Sequence, residues 1–189
     1  MTGKTHQVIG QTVGLATFLA LSGGGYNPAT LAFTVVVSSV AALLPDIDQS
    51  SSSLWHVVPM GHAAGEVVDP FIKHRNISHS ILGTAIVGGI IYWLTTIMPS
   101  YWDVNGVIIT WVFIASYLSH LITDMITVEG IPLFFPYQKM FGIPPKPFQG
   151  IRIVTGKWFE NLVIFPIVDA TLLIVIFSNW SEIHSTLFK

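Results

Sequence analysis

The sequence predicts an all-α, polytopic membrane protein, a bundle of about five transmembrane helices forming one domain over residues 1–189. Three observations carry that expectation. Hydrophobic residues make up 51% of the chain and charged residues only 10%, against about 25% charged in soluble domains. Mean hydropathy is +0.66. Apolar runs recur at lengths near the roughly 20 helical residues that cross a bilayer's hydrocarbon core.

In chain order, the apolar segments are roughly 7–22, 29–45, 79–98, 105–124 and 160–179. The opening Met1 to Gln7 followed by an apolar run has the outline of a signal peptide. However, Gln11, Thr12 and Gly14 interrupt the run and no small-residue cleavage site stands out, so it is expected to remain as a first helix. Its glycines suit a helix packed inside a bundle. The turn from Gly23 to Pro28 makes the first two helices an antiparallel hairpin, and Pro45 stops the second. The third ends at Met98-Pro99, where Tyr101 and Trp102 fit a membrane interface, as Trp180 does after the fifth. Two longer polar stretches remain, 46–78 and 125–159. The second is too rich in proline for a regular helix and leaves short strands or a re-entrant turn open.

With five spans, the N-terminus and both long loops share one side. That side holds Lys4, Lys73, Arg75, Lys139, Lys146, Arg152 and Lys157, all the basic residues except Lys189. The positive-inside rule then places the N-terminus in the cytoplasm and the C-terminus outside. Net charge is -2 with no basic block, so nucleic acid is not an expected partner. There are no cysteines, which excludes disulfides, thiolate ligands and thiol nucleophiles. Any metal must be held by imidazole, carboxylate or water.

The ionisable residues gather on that same side. His120 and Asp124 close the fourth segment four residues apart, about 6 Å along one helix face, and can hold one cation between them. Equally, Asp124 could simply accept a hydrogen bond from His120. His6 opens the first helix, Asp46 and Asp48 follow the second, His74 and His79 precede the third, and Glu160 opens the fifth. Each has a plainer reading: the aspartates as helix terminators, His79 as an N-cap neighbour, Glu160 as a favoured charge at a helix start. Arg75 is either a positive-inside anchor or a fork for phosphate oxygens. His56 and His62 are expected on the surface or in a lid, and Glu66 and Asp69 in solvent. The opposite end offers Asp103, Glu182 and His184. Asp169, about 14 Å along the fifth helix from Glu160, is expected to bond to a neighbouring helix.

Neutral imidazoles and carboxylates suit Zn²⁺, Mn²⁺ or Fe²⁺. The ligands outnumber the needs of one ion, and two ions about 3.5–4 Å apart would use them while clamping a phosphoester. A proton or metal pathway also gathers His and Asp in membranes. Such a path should continue across the bilayer, and here the helix centres are apolar.

The motifs Thr5-His6, Leu44-Pro45-Asp46-Ile47-Asp48, His74-Arg75 with Ser78-His79-Ser80, Ser119-His120 with Asp124, and Thr155-Gly156 with Glu160 occur in that order. In this the chain resembles the LexA-regulated, membrane-bound metal-dependent hydrolase family, the YdjM-like bacterial inner-membrane proteins. The resemblance covers nearly the whole chain and includes the proline-rich Gly130 to Pro136. A fainter likeness is to zinc-dependent phospholipase C and P1-type nuclease, whose order of ligands His6, Asp46, His79, His120, Asp124 and Glu160 follow. Together these imply a metal-dependent hydrolase of a phosphoester carried by a membrane lipid, at the cytoplasmic face of the inner membrane. His6, Asp46, Asp48, His79, His120, Asp124 and Glu160 would be the metal ligands. His74 would be a ligand or general acid, Arg75 would hold the phosphate, and a metal-bound hydroxide would attack. The rival expectations are a structural or sensory metal site, and a metal or proton transporter.

Overall fold

A computed structural model describes residues 1–23, 27–48 and 77–187. The helices are α1 (Gly3–Ser22), α2 (Pro28–Leu43), α3 (Ile81–Thr96), α4 (Gly106–Met125), α5 (Phe165–Ser178) and α6 (Trp180–Leu187). No β-strand is present among the described residues; the 126–159 segment holds two isolated bridges, Thr127 with Ile153 and Ile131 with Phe141. Three stretches are long and apolar enough to cross a membrane: Pro28–Ile47, Gly106–Met125 and Glu160–Ser178. The third apolar segment forms a shorter helix of 16 residues.

Helices α1, α2 and α4 form the centre, packing extensively on one another, while α3 lies chiefly on α4 and α5 chiefly on α1. The α1–α2 contact is close because α1 presents no side chain there. A Cβ on Gly10 would sit 2.3 Å from the Ala42 Cβ, and one on Gly14 would sit 2.4 Å from the Ser38 Cβ. Small residues at spacing four let two backbones approach in an apolar medium. Ser116 of α4 joins the pair by donating its hydroxyl to the Gly10 carbonyl at 3.0 Å. Two apolar clusters extend from this centre, one around Phe18, Leu31 and Val112, the other around Ala41, Phe113, Tyr117 and Leu121.

Several boundaries shift from expectation for identifiable reasons. Helix α1 starts at Gly3, so His6 lies within its first turns. Helix α3 starts at Ile81 because Ser80 caps it, accepting from the Gly83 amide at 3.0 Å. Residues Ile77–His79 before it form a 3₁₀ turn, and a Cβ on Gly83 would strike the Ile77 carbonyl at 1.9 Å. The fifth segment opens with a π-helical turn, Glu160–Ile164. Pro166 lacks the amide that would continue an α-helical ladder, and the Phe165 amide reaches back to the Glu160 carbonyl instead. Helix α6 was not anticipated; its Ile183 folds back onto the Leu15, Phe18 and Leu31 cluster.

One expectation is corrected outright. Among the described residues Asp169 has no partner on a neighbouring helix; it is exposed, and no residue of α5 is buried.

Candidate metal centre

Three helices deliver ligands by one device, a row at spacing four that runs from small residues to an ionisable one. On α1 the row is Gly14, Gly10, His6; on α2 and its 3₁₀ extension it is Ser38, Ala42, Asp46; on α4 it is Ser116, His120, Asp124. Because small residues bring the helices close, the ionisable ends of the rows converge at one end of the bundle. His79 arrives from the 3₁₀ turn before α3. That turn is pinned to α4 by the Tyr117 hydroxyl, which donates to the Ser78 carbonyl at 2.5 Å.

Asp46, His79, His120 and Asp124 each offer one ligand atom, all within 4.8 Å of one another. The two Nε2 atoms of His79 and His120 are 3.4 Å apart. Asp46 Oδ1 lies 3.4 Å from His79 Nε2 and 3.6 Å from His120 Nε2. Asp124 Oδ2 lies 3.7 and 3.8 Å from the same two nitrogens. A tetrahedral ion with ligands at about 2.0–2.1 Å separates its ligand atoms by about 3.3 Å. Five of the six edges come within half an ångström of that value, and the sixth, between Asp46 and Asp124, is within 4.8 Å.

His120 is also in a suitable tautomer. His120 Nδ1 is 2.7 Å from the Ala42 carbonyl, which can only accept. Ala42 is among the last residues of α2, where carbonyls have no intrahelical donor. His120 therefore carries its proton on Nδ1 and presents the Nε2 lone pair to the group, the arrangement usual for a metal-ligating histidine.

His6 stacks on His120, with ring centroids 3.7 Å apart and planes at 17°. The Thr123 hydroxyl donates its one proton to the carbonyls of Ser119 and His120, both at 2.9 Å. With that proton on a carbonyl, the hydroxyl accepts from His6 Nδ1 at 3.0 Å. That leaves the lone pair on His6 Nε2, which is buried and has no hydrogen-bond partner although Asp124 Oδ1 lies 3.1 Å away. Two buried acceptors facing each other are unfavourable without positive charge nearby. The Met1 amine, 2.6 Å from the same oxygen, supplies such charge in the structure. Asp124 thus presents one oxygen to the Asp46, His79 and His120 group and the other to His6.

The other expected residues are placed as follows. Glu160 is not brought to the group, and its carboxylate has another task. One oxygen accepts from the Thr2 amide at 2.6 Å and from the Thr2 and Thr5 hydroxyls at 2.8 Å each. The other accepts from the Gly156 amide at 2.7 Å. A carboxylate so engaged has little left for a metal, and it ties the start of α1, hence His6, to the start of the Glu160–Ser178 stretch. His74, Arg75, His56, His62, Glu66 and Asp69 lie outside the described residues, as does the side chain of Asp48. Thr123 and the Ala42 carbonyl were not anticipated. A hydroxyl between two ligand positions, at Ser119-His120-Leu121-Ile122-Thr123-Asp124, was the available signal.

Glu160 carries a prediction. Glu160→Ala should weaken metal affinity about 10- to 100-fold, the range seen when a group orienting a ligand is lost, without abolishing binding. Titration with a fluorescent zinc competitor measures this. A loss as complete as that of His120→Ala would make Glu160 a ligand after all.

An all-α bundle with three spanning-length helices and buried His and Asp side chains gathered at one end defines an integral membrane protein with a candidate metal site. The chain belongs to the YdjM inner membrane protein family, whose model matches residues 1–187. It is 31% identical over 165 residues to the uncharacterized protein YvsG of Bacillus subtilis (strain 168), covering 87% of this chain and 88% of YvsG. It is 30% identical over 116 residues to the inner membrane protein YdjM of Escherichia coli (strain K12), covering 58% of this chain and 53% of YdjM. The YdjM of Shigella flexneri matches to the same extent. The chain thus spans about half the length of the YdjM proteins it matches. No solved structure is similar.

Proposed function

We propose that this protein is a metal-dependent hydrolase of phosphoesters carried by membrane lipids, working at the cytoplasmic face of the inner membrane. The observation that carries the reading is the compact group of Asp46, His79, His120 and Asp124, whose ligand atoms lie within 4.8 Å of one another. A divalent cation held there, zinc being the best fit to two imidazoles and two carboxylates, would polarise a phosphoryl oxygen and acidify water. A second cation is supported by the placement of Asp124, with Oδ1 toward the free His6 Nε2 and Oδ2 toward the other three ligands. The protein's own work is to hold these side chains in one tautomer and one geometry within a buried pocket. His74 and Arg75, just upstream of His79, are proposed to protonate the leaving group and to hold the phosphate.

A lipid substrate is supported by the surroundings of the ligands. An apolar cavity of about 230 Å³ is lined by Leu44, Ile47, Ile77, Ile86, Val87 and Tyr117. Leu44 and Ile47 flank Asp46, and Ile77 lies two residues before His79, so a chain lying in the cavity would bring its headgroup to the ligands. Five helices crossing with the N-terminus inside fit the basic residues Lys4, Lys139, Lys146, Arg152 and Lys157 at the ligand end. Transport is less well supported. The buried hydroxyls of Thr34 and Ser38 on α2, toward the middle of the bundle, donate to carbonyls of their own helix and make no chain across it.

The test is incubation of zinc- or manganese-loaded protein with a bacterial lipid extract, following released headgroup phosphate. Wild type should release it and Asp124→Ala should not; equal behaviour of the two contradicts the enzyme. Filling the cavity with Val87→Trp should slow hydrolysis of long-chain lipids at least tenfold while leaving a short, water-soluble phosphoester little affected. Equal slowing of both would place the chain elsewhere.

A further inference from the structure

Asp169 stands in the middle of the Glu160–Ser178 stretch, which has mean hydropathy 2.2. It is exposed and has no hydrogen-bond or ion-pair partner among the described residues. Helix α5 turns its Leu172, Val175 and Ile176 side toward the bundle. A second side, formed by Leu162, Pro166, Asp169, Leu173 and Phe177 at spacings of three and four, faces outward. In a bilayer that side meets acyl chains. A carboxylate there is costly, and such residues are found turned to a bundle interior or a paired group. Beside it, a groove lined by Gln11, Thr34, Val35, Ser38, Leu172 and Ile176 runs between α2 and α5, the bundle-facing Leu172 and Ile176 forming its α5 wall. A grooved surface seats a helix more closely than a convex one.

We infer that a second copy of this chain covers this face, α5 against α5 about a two-fold axis, with the two Asp169 side chains meeting. Symmetry is the reason for choosing a second copy. Any other protein would need a polar group at a matching depth, whereas a two-fold pairing of identical helices places Asp169 opposite its own counterpart. One carboxyl then donates its proton to the other, and neither is left unpaired in hydrocarbon. The nearest described cation on the adjoining helix, Lys4, lies over the Phe165 ring instead, 4.8 Å from its centroid.

The chain contains no cysteine, so single-cysteine variants report contacts cleanly. Full-length protein in its native membrane is oxidised with copper phenanthroline and run on a non-reducing gel. Leu162→Cys, Leu173→Cys and Phe177→Cys should give a band at twice the monomer mass. Ile167→Cys and Ile174→Cys, exposed on the other flank of the same helix, should not. Adding Asp169→Leu to Leu173→Cys should lower the cross-linked fraction about fivefold, the order expected for losing one interhelical polar contact in a membrane. Asp169→Asn should keep it, because an amide can both donate and accept across the axis. Equal cross-linking on both flanks, an unchanged yield with Asp169→Leu, or capture of a protein of another mass would each overturn the inference.

Discussion

Asp124→Asn should strip the protein of bound divalent metal and make its thermal stability indifferent to chelator. Asp124 is shared: one oxygen lies 3.7 and 3.8 Å from His79 and His120, the other 3.1 Å from His6. Losing its charge therefore touches every member of the group, whereas losing His6 spares four of them. In the wild type, a metal bound at a thousand times its dissociation constant contributes about 4 kcal/mol to stability by mass action. Chelator should remove that contribution and lower Tm by several degrees. The same carboxylate within 4.8 Å of Asp46 is a repulsive element when no cation is bound. Asp124→Asn should thus match or exceed the stability of chelated wild type while failing to gain from added zinc. Differential scanning fluorimetry in detergent, with and without chelator, measures all of these. A wild type whose Tm ignores both chelator and zinc would contradict the expectation.

The second large effect is expected far from any ligand. Gly10→Leu should prevent α1 and α2 from closing, because even a Cβ there would stand 2.3 Å from the Ala42 Cβ and 3.1 Å from the Ser38 carbonyl. Overpacking of this kind costs about 1–3 kcal/mol or more, and His6, one turn away on the same face, should leave the group with it. Metal affinity should fall although no ligand has been changed. The smaller Gly10→Ala isolates the cause. Paired with Ala42→Gly it should recover part of the loss, less the penalty of roughly 1 kcal/mol for a helical glycine, as a coupling energy in a double-mutant cycle. Additive losses in the double variant would mean the two positions do not meet.

Much of this arrangement was legible in the residues. The i, i+4 pair His120 and Asp124, the carboxylate of Asp46 after Pro45, and His6 and His79 at the starts of apolar segments all pointed to one end of the bundle, and the fold brings them together at one end. The hydrogen bonds of Glu160 were not legible, because a carboxylate at a helix start looks the same whether it will meet a cation or amides. Only the fold shows that Thr2, Thr5 and Gly156 reach it first. Asp169 was misjudged for a different reason. Apart from Asp169 and Thr171, the interior of α5 is apolar on every side, so its pattern does not say which side faces the bundle. The rows of small residues that set the ligand geometry were present in the sequence as Gly10, Gly14, Ser38, Ala42 and Ser116. Their meaning depends on which helices touch. Helix α6 hid among polar residues because only Ile183 and Thr186 of its length are buried.

These side chains are proposed to hold a divalent metal, and anomalous diffraction reads its presence directly. Crystals of the protein purified without chelator, measured on both sides of the zinc absorption edge, should show a peak among His79 Nε2, His120 Nε2, Asp46 Oδ1 and Asp124 Oδ2. A second peak should appear between Asp124 Oδ1 and His6 Nε2 when zinc is supplied in excess. Diffraction of similar quality with no anomalous peak in this group, from zinc-supplemented protein, would contradict the account.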